Sequence, residues 1–143
     1  REVTPEFKDK SVNIVNIMSR LATEESFKDV NNVKVVVANN NDALYYSREP
    51  IPSPWKGWED IPRYMQTGII AFRRNILIAF NAMKETQLEQ IESIDMNRVL
   101  ETGGKIRMVL TEATTIGVDV LEELNEVEKI LVGDKIMGAY IQL

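Results

Sequence analysis

Apolar and polar positions along this chain alternate between two periods. "VNIVNIM" (Val12 to Met18) sets apolar residues against asparagine with a strand-like alternation. "VKVVV" (Val33 to Val37) is β-branched and predicts a second strand, and "NNND" (Asn39 to Asp42) turns the chain back into "ALYYS", so these two segments predict a hairpin. Between the first two strands, "TEESFKDV" predicts a short helix with Thr23 as its N-cap and acidic residues in its first turn. "YMQTGIIAF" (Tyr64 to Phe72) predicts a long strand through Gly68, and "RNILIAFNAM" a short helix after it. "TQLEQIESIDMNRVLETGG" predicts one continuous helix, with Thr86 at the N-cap, Glu89 three residues on as in a capping box, and Gly103 and Gly104 as the stop. "KIRMVLT" predicts a further strand and "TIGVD" a short extended segment. "LEELNEVEKIL" predicts an amphipathic helix with Leu121, Leu124, Val127 and Leu131 on one face. Strands alternating with helices, with a hairpin among them, imply an α/β fold on a mixed, mostly parallel sheet flanked by helices.

Composition narrows the chemistry. At 143 residues the chain is one domain's worth. It holds no cysteine and no histidine, which excludes disulfides, thiolate nucleophiles, the Ser-His-Asp triad and nitrogen- or sulfur-liganded metals. Any metal must therefore sit on oxygen, as magnesium, calcium or manganese does. A formal charge of −5 argues against non-specific nucleic-acid binding. No apolar run nears the roughly 20 residues that span a bilayer, and no signal-peptide pattern opens the chain, so a cytoplasmic protein without a membrane partner is expected. The first residue is Arg1, and "REVTPEFKDK" reads as a chain entered midway, so a fragment is expected.

The most pointed local feature is "ALYYSREPIP" (Ala43 to Pro52), a strand that delivers Ser47 and Arg48 to its end before a Pro-x-Pro blocks further pairing. A fixed guanidinium there suits a carboxylate or phosphate, and the alternative is a surface salt bridge to Glu49 or Asp60. The loop that follows, "EPIPSPWKGWEDIP", carries four prolines and two tryptophans. Trp55 and Trp58 are read there as packing or interface residues, with a sugar-stacking platform as the alternative. Glu89, Glu92 and Asp95 recur every three residues, as a solvated acidic edge or a metal cluster, and Arg98 is spaced to pair with Asp95. Asp119 stands where an N-cap of the last helix belongs.

Taken in order, "NVKVVV…ALYYSREPIP", "GIIAFRR", "LEQIESIDMNRVLETGGKIRM" and "GVDVLEEL" resemble the C-terminal half of the cytidylyltransferases that activate acidic sugars, the CMP-KDO (3-deoxy-manno-octulosonate) synthetase and acylneuraminate type. The resemblance covers nearly the whole chain. It implies part of a nucleotide-diphospho-sugar transferase-like domain, with residues 1–131 as its sugar-binding portion, the β-hairpin as a dimerisation element and 132–143 as a tail. It implies transfer of CMP from CTP to a 2-keto-3-deoxy sugar acid, with release of pyrophosphate, in surface polysaccharide biosynthesis. The partners implied are CTP, an acidic sugar and a second copy of the chain; the cofactor implied is Mg2+. Asp119 resembles a catalytic, magnesium-binding aspartate. Ser47 and Arg48 match a Ser-Arg pair beside the sugar, and Gln66, Asp95 and Arg98 fall at sugar-site positions. The family's basic nucleotide loop would lie before Arg1, so this chain alone is expected to bind CTP poorly.

The sugar site departs from the family pattern. Gln66 and Ile70 stand where histidine and tyrosine are usual, and Asp95 and Met96 replace a Glu-Gln pair. Losing hydrogen-bonding groups alters discrimination strongly, which puts the identity of the sugar in question. Without histidine, the proton acceptor for the attacking hydroxyl would be a carboxylate, a metal-bound water or the substrate's own carboxylate. The alternative reading is a non-catalytic homologue acting as a dimerisation or interaction module.

Overall fold

The apolar runs form five strands of one sheet in the computed structural model, which describes residues 3–58, 61–112 and 121–132. After a 3-10 helix (Thr4–Lys8) come β1 (Ile14–Arg20), α1 (Glu24–Lys28), β2 (Lys34–Val37), β3 (Ala43–Ser47), β4 (Tyr64–Phe72), α2 (Arg74–Ala82), α3 (Gln87–Glu92), α4 (Met96–Glu101), β5 (Arg107–Leu110) and α5 (Leu121–Leu131). Arg1–Ala113 form one compact unit and Thr114–Leu143 a second. The "TIGVD" segment, with Asp119, lies outside the described residues.

The sheet runs β3-β2-β4-β1-β5. It is mixed, as the hairpin required, but among the described strands it is not mostly parallel. β1–β4, β2–β3 and β2–β4 pair antiparallel, and only β1–β5 is parallel. The alternation of strand and helix along the chain suggested parallel crossovers; the hairpin, and β4 inserted between β2 and β1, reverse most of the pairings instead. β1, paired on both edges, is buried over six consecutive residues, so both of its faces are covered. Gly68, at φ +79°, sits where β4 carries extra residues between Gln66 and Ile70 opposite Asn16 to Met18, a bulge that a residue with a Cβ would strain.

The two outer strands meet at one end. The Ala43 N–H donates to the Ile106 carbonyl at 2.8 Å and the Met108 N–H to the Asn41 carbonyl at 2.7 Å. Arg107 clamps the junction, donating to Asp42 Oδ1 at 3.0 Å and Glu6 Oε2 at 3.1 Å. The curled sheet packs Ile14, Met18, Val35, Tyr46 and Met108 against Ile94, Met96 and Val99 in one apolar cluster.

Thr23 caps α1 as expected, accepting from the Ser26 N–H at 3.1 Å. The continuous helix expected from Thr86 to Gly103 is two helices, broken at Ser93, whose φ of +54° is left-handed. The break turns Ile94, Met96 and Val99 into the core while leaving Ile91 exposed. An unbroken amphipathic helix could not do both. At the far end Gly104 is obligatory: a Cβ would lie 2.6 Å from Val99 Cγ1 and 2.8 Å from its carbonyl oxygen.

Candidate functional site

At the end of β3 the chain delivers Ser47 and Arg48 to a carboxylate that sequence reasoning placed on an acidic edge. Glu92 Oε1 accepts from the Tyr45 hydroxyl at 2.9 Å and the Ser47 hydroxyl at 2.8 Å, and Glu92 Oε2 accepts from the Arg48 N–H at 3.0 Å. Burial would raise the Glu92 carboxyl, but these three hydrogen bonds and the Arg48 charge together hold it below the ordinary carboxylate range. Burial, with Glu92 adding to it, pushes the Tyr45 phenol up. No sequence signal marked Glu92, which fell in the middle of the continuous helix expected there; the break after it lets the side chain reach the strand.

The Arg48 guanidinium forms no described ion pair with Glu49. It donates from Nε to the Glu92 carbonyl at 3.0 Å, from one terminal nitrogen to the Val30 carbonyl at 3.0 Å, and from the other to the Ser93 carbonyl at 3.5 Å. Three of its five N–H groups are so engaged, which fixes the head and leaves donors for an anion. Beneath it Lys34, fully buried, donates to the Arg48 carbonyl and, at 2.8 Å, to the Asp29 carbonyl. Burial drives the Lys34 ammonium down, against the pull of Asp29, Glu49 and Glu92. Asn97 completes the mount by docking its carboxamide on the β3 backbone, donating to the Tyr46 carbonyl at 3.0 Å and accepting from the Tyr46 N–H at 3.3 Å.

Gln66 lies within the curl of the sheet and accepts at Oε1 from Asn16 Nδ2 at 3.0 Å. The same nitrogen donates to the Tyr46 hydroxyl at 3.2 Å, and that hydroxyl donates to Met108 Sδ at 3.0 Å. Burial pushes the Tyr46 phenol far up, so it stays protonated. Asn16 and Tyr46 were read in the sequence only as strand positions.

Asp95 and Arg98 do not pair. Asp95 is exposed at the N-cap of α4 and its side chain caps no N–H there. Arg98 forms a fork onto Glu89, with Nε to Oε2 at 2.6 Å and a terminal nitrogen to Oε1. It also donates to the Phe80 and Met83 carbonyls at 3.3 Å and lies 4.6 Å over the Phe80 ring. The hydrogen bonds from Arg98 come first in holding the Glu89 carboxyl below its usual range, against burial, and the Thr86 N–H adds to them. Arg98 thus ties α2, α3 and α4 together. Met96 is in the core, and Ile70 packs against it.

The proline- and tryptophan-rich loop is held by Arg63, which sequence reasoning missed. Arg63 is 2% exposed, lies 4.4 Å over the Trp58 ring and 5.0 Å over Phe27, and donates to the Gly57, Trp58 and Ile61 carbonyls. Trp58 is accordingly a packing residue, whereas Trp55 is 89% exposed. Among the described residues no group of three or more acidic side chains is placed to hold a metal ion. None of the described helices is long and apolar enough to cross a membrane.

Known proteins give these contacts a context. The family model described as cytidylyltransferase matches residues 3–107. The 3-deoxy-manno-octulosonate cytidylyltransferase of Fusobacterium nucleatum is 39% identical over 119 residues, covering 83% of this chain and 48% of that protein. Its counterpart in Syntrophus aciditrophicus is 40% identical over 133 residues, covering 92% and 54%. A solved structure of CMP:2-keto-3-deoxy-manno-octonic acid synthetase complexed with CTP superposes with a TM-score of 0.80 at 31% identity, over 90% of this chain and 53% of that one. The chain spans about half the length of the curated relatives it matches. Matched by the cytidylyltransferase family model over residues 3–107, most of its length, the chain belongs to the cytidylyltransferase family.

Proposed function

We propose that the protein containing this chain transfers CMP from CTP to a 2-keto-3-deoxy sugar acid, of which 3-deoxy-manno-octulosonate is the type. The observation that carries this reading is the 39–40% identity to 3-deoxy-manno-octulosonate cytidylyltransferases over most of the chain. In the reaction the sugar's anomeric oxygen bonds to the α-phosphorus, the α–β phosphoanhydride bond breaks, pyrophosphate leaves, and the hydroxyl proton passes to a base. This chain's part is to hold the acid. Arg48, fixed by three carbonyls and mounted on Glu92 and Lys34, offers its remaining donors and positive charge to the sugar carboxylate. Ser47 keeps Arg48 and Glu92 in register, and Gln66 contributes a carboxamide. Asp119 is the residue we assign to Mg2+, which would supply charge neutralisation at the phosphates. The β2–β3 hairpin as a dimer contact, a homodimer, and a cytoplasmic site, where CTP is available, belong to the same proposal.

The test is pyrophosphate release by the full-length protein with CTP, Mg2+ and a panel of acidic sugars. Release with at least one 2-keto-3-deoxy acid is expected, and its loss in Asp119→Ala. No release with any acid would overturn the reading; release unchanged in Asp119→Ala would remove the metal role. A non-catalytic interaction module is the second reading. What favours it is the commitment of Arg98, one of the expected sugar-site residues, to Glu89 and backbone carbonyls. It predicts a protein that neither binds CTP nor releases pyrophosphate.

A further inference from the structure

Four strands bring Asn16, Tyr46, Gln66 and Met108 together inside the curl of the sheet. Asn16 is fully buried on the interior strand β1, and its Oδ1 has no hydrogen-bond partner among the described residues. A leucine at that strand position would fill the space without stranding an oxygen, so packing does not account for the asparagine. Reversing its amide would do worse. Both N–H groups would lose the acceptors they now have in the Tyr46 hydroxyl and Gln66 Oε1, leaving two orphaned donors instead of one orphaned acceptor. Tyr46, kept protonated by burial and donating to Met108, can only accept from Asn16, which reinforces the same orientation.

The consequence falls on Gln66. A carboxamide free to turn offers either a donor or an acceptor to a ligand; this one cannot. Its oxygen is taken up by Asn16, and its Nε2 has no acceptor among the described residues. We infer that Asn16 is a positioning residue that sets the polarity of the Gln66 carboxamide, so that the site receives an oxygen acceptor of the ligand, such as a carboxylate, carbonyl or acyl oxygen, and discriminates against a donor such as an ammonium. The inference rests on the proposal that Gln66 lines the acidic-sugar site, and it adds which atom type of the acid is read there. The chain Met108–Tyr46–Asn16–Gln66 carries that choice from the far edge of the sheet to the ligand.

The experiment measures kcat and KM for the acidic sugar on the full-length protein, with melting temperatures alongside, for Asn16→Leu, Gln66→Leu, the double variant and Gln66→Glu. Asn16→Leu frees the Gln66 amide to turn, and the sugar KM is expected to rise about 2-fold to 10-fold, the cost of ordering one freed side chain on binding, with kcat changed far less. In the Gln66→Leu background the same substitution should leave KM unaltered, whereas a merely structural asparagine would act equally in both. Gln66→Glu keeps an oxygen for Asn16 and presents a second oxygen where the donor was, so it should raise KM for the acid even if the Asn16 variants fold poorly. A wild type that turns over no acidic sugar would remove the functional reading and this inference with it. Turnover with KM unmoved by Asn16→Leu or by Gln66→Glu, in folded protein, would overturn the inference alone.

Discussion

Replacing Glu92 by glutamine keeps the shape of the side chain and removes the charge on which Tyr45, Ser47 and the Arg48 N–H converge. The carboxamide oxygen can still accept from the two hydroxyls, but its NH2 then faces the Arg48 N–H, donor against donor. One hydrogen bond to a charged acceptor is lost, at about 1.5–3 kcal/mol, and two others drop to neutral strength at under about 1 kcal/mol each. Water reaching the half-exposed Arg48 and Tyr45 offsets part of this, so the expected loss is about 2–3 kcal/mol. That corresponds to a fall in melting temperature of roughly 4–12 °C for a protein of this class. Acid provides a check on the sign. The Glu92 carboxyl lies below its ordinary value in the folded protein, so its contribution is complete above the unfolded value of about 4.3 and is lost as pH falls through the folded one. Unfolding by urea should therefore show the full gap between wild type and Glu92→Gln at pH 7, narrowing below about pH 4. Hydrogen exchange adds a local readout, since the Arg48 amide should exchange faster in the variant. A gap under about 0.5 kcal/mol at pH 7, or one that persists unchanged in acid, would refute the reasoning.

Arg98→Met leaves the nearly buried Glu89 carboxylate without its partner and should cost about 2–4 kcal/mol in urea unfolding, whereas Lys28→Ala, at the exposed Lys28–Glu24 pair, should leave the midpoint unchanged. Arg63→Met strips the Gly57, Trp58 and Ile61 carbonyls of a donor and the Trp58 ring of its cation. The expected change is a loss of about 2–3 kcal/mol together with a shift in tryptophan emission, and emission identical to wild type would count against the contact.

Which of these contacts could be read beforehand follows from their range. Thr23 was legible as a cap because it bonds three residues away. The hairpin was legible because "NNND" joins two β-branched or aromatic runs within a few residues. Arg48 was legible as an arginine at a strand end, and Gly104 as a stop. Glu92 was not, for its partners lie 44 to 47 positions earlier, and a helical period put it on a solvated edge. Arg98 had Asp95 three residues away, and helical spacing favoured that pair; the break at Ser93 brings Glu89, nine positions away, to it instead. The direction of most strand pairings was likewise misjudged, because alternation of strands and helices does not say which strand inserts between which.

Sequence by itself determined most of the kinds of element, the lack of thiol and imidazole chemistry in this chain, and the family, because these depend on local propensity, period and residue identity. Tertiary structure alone decided the curl of the sheet, the break that carries Glu92 to the end of β3, and the meeting of Asn16 with Gln66, whose amides lie 50 residues apart. Those contacts exist because buried polar groups must find partners wherever the packed core brings them, and no local pattern encodes where that is.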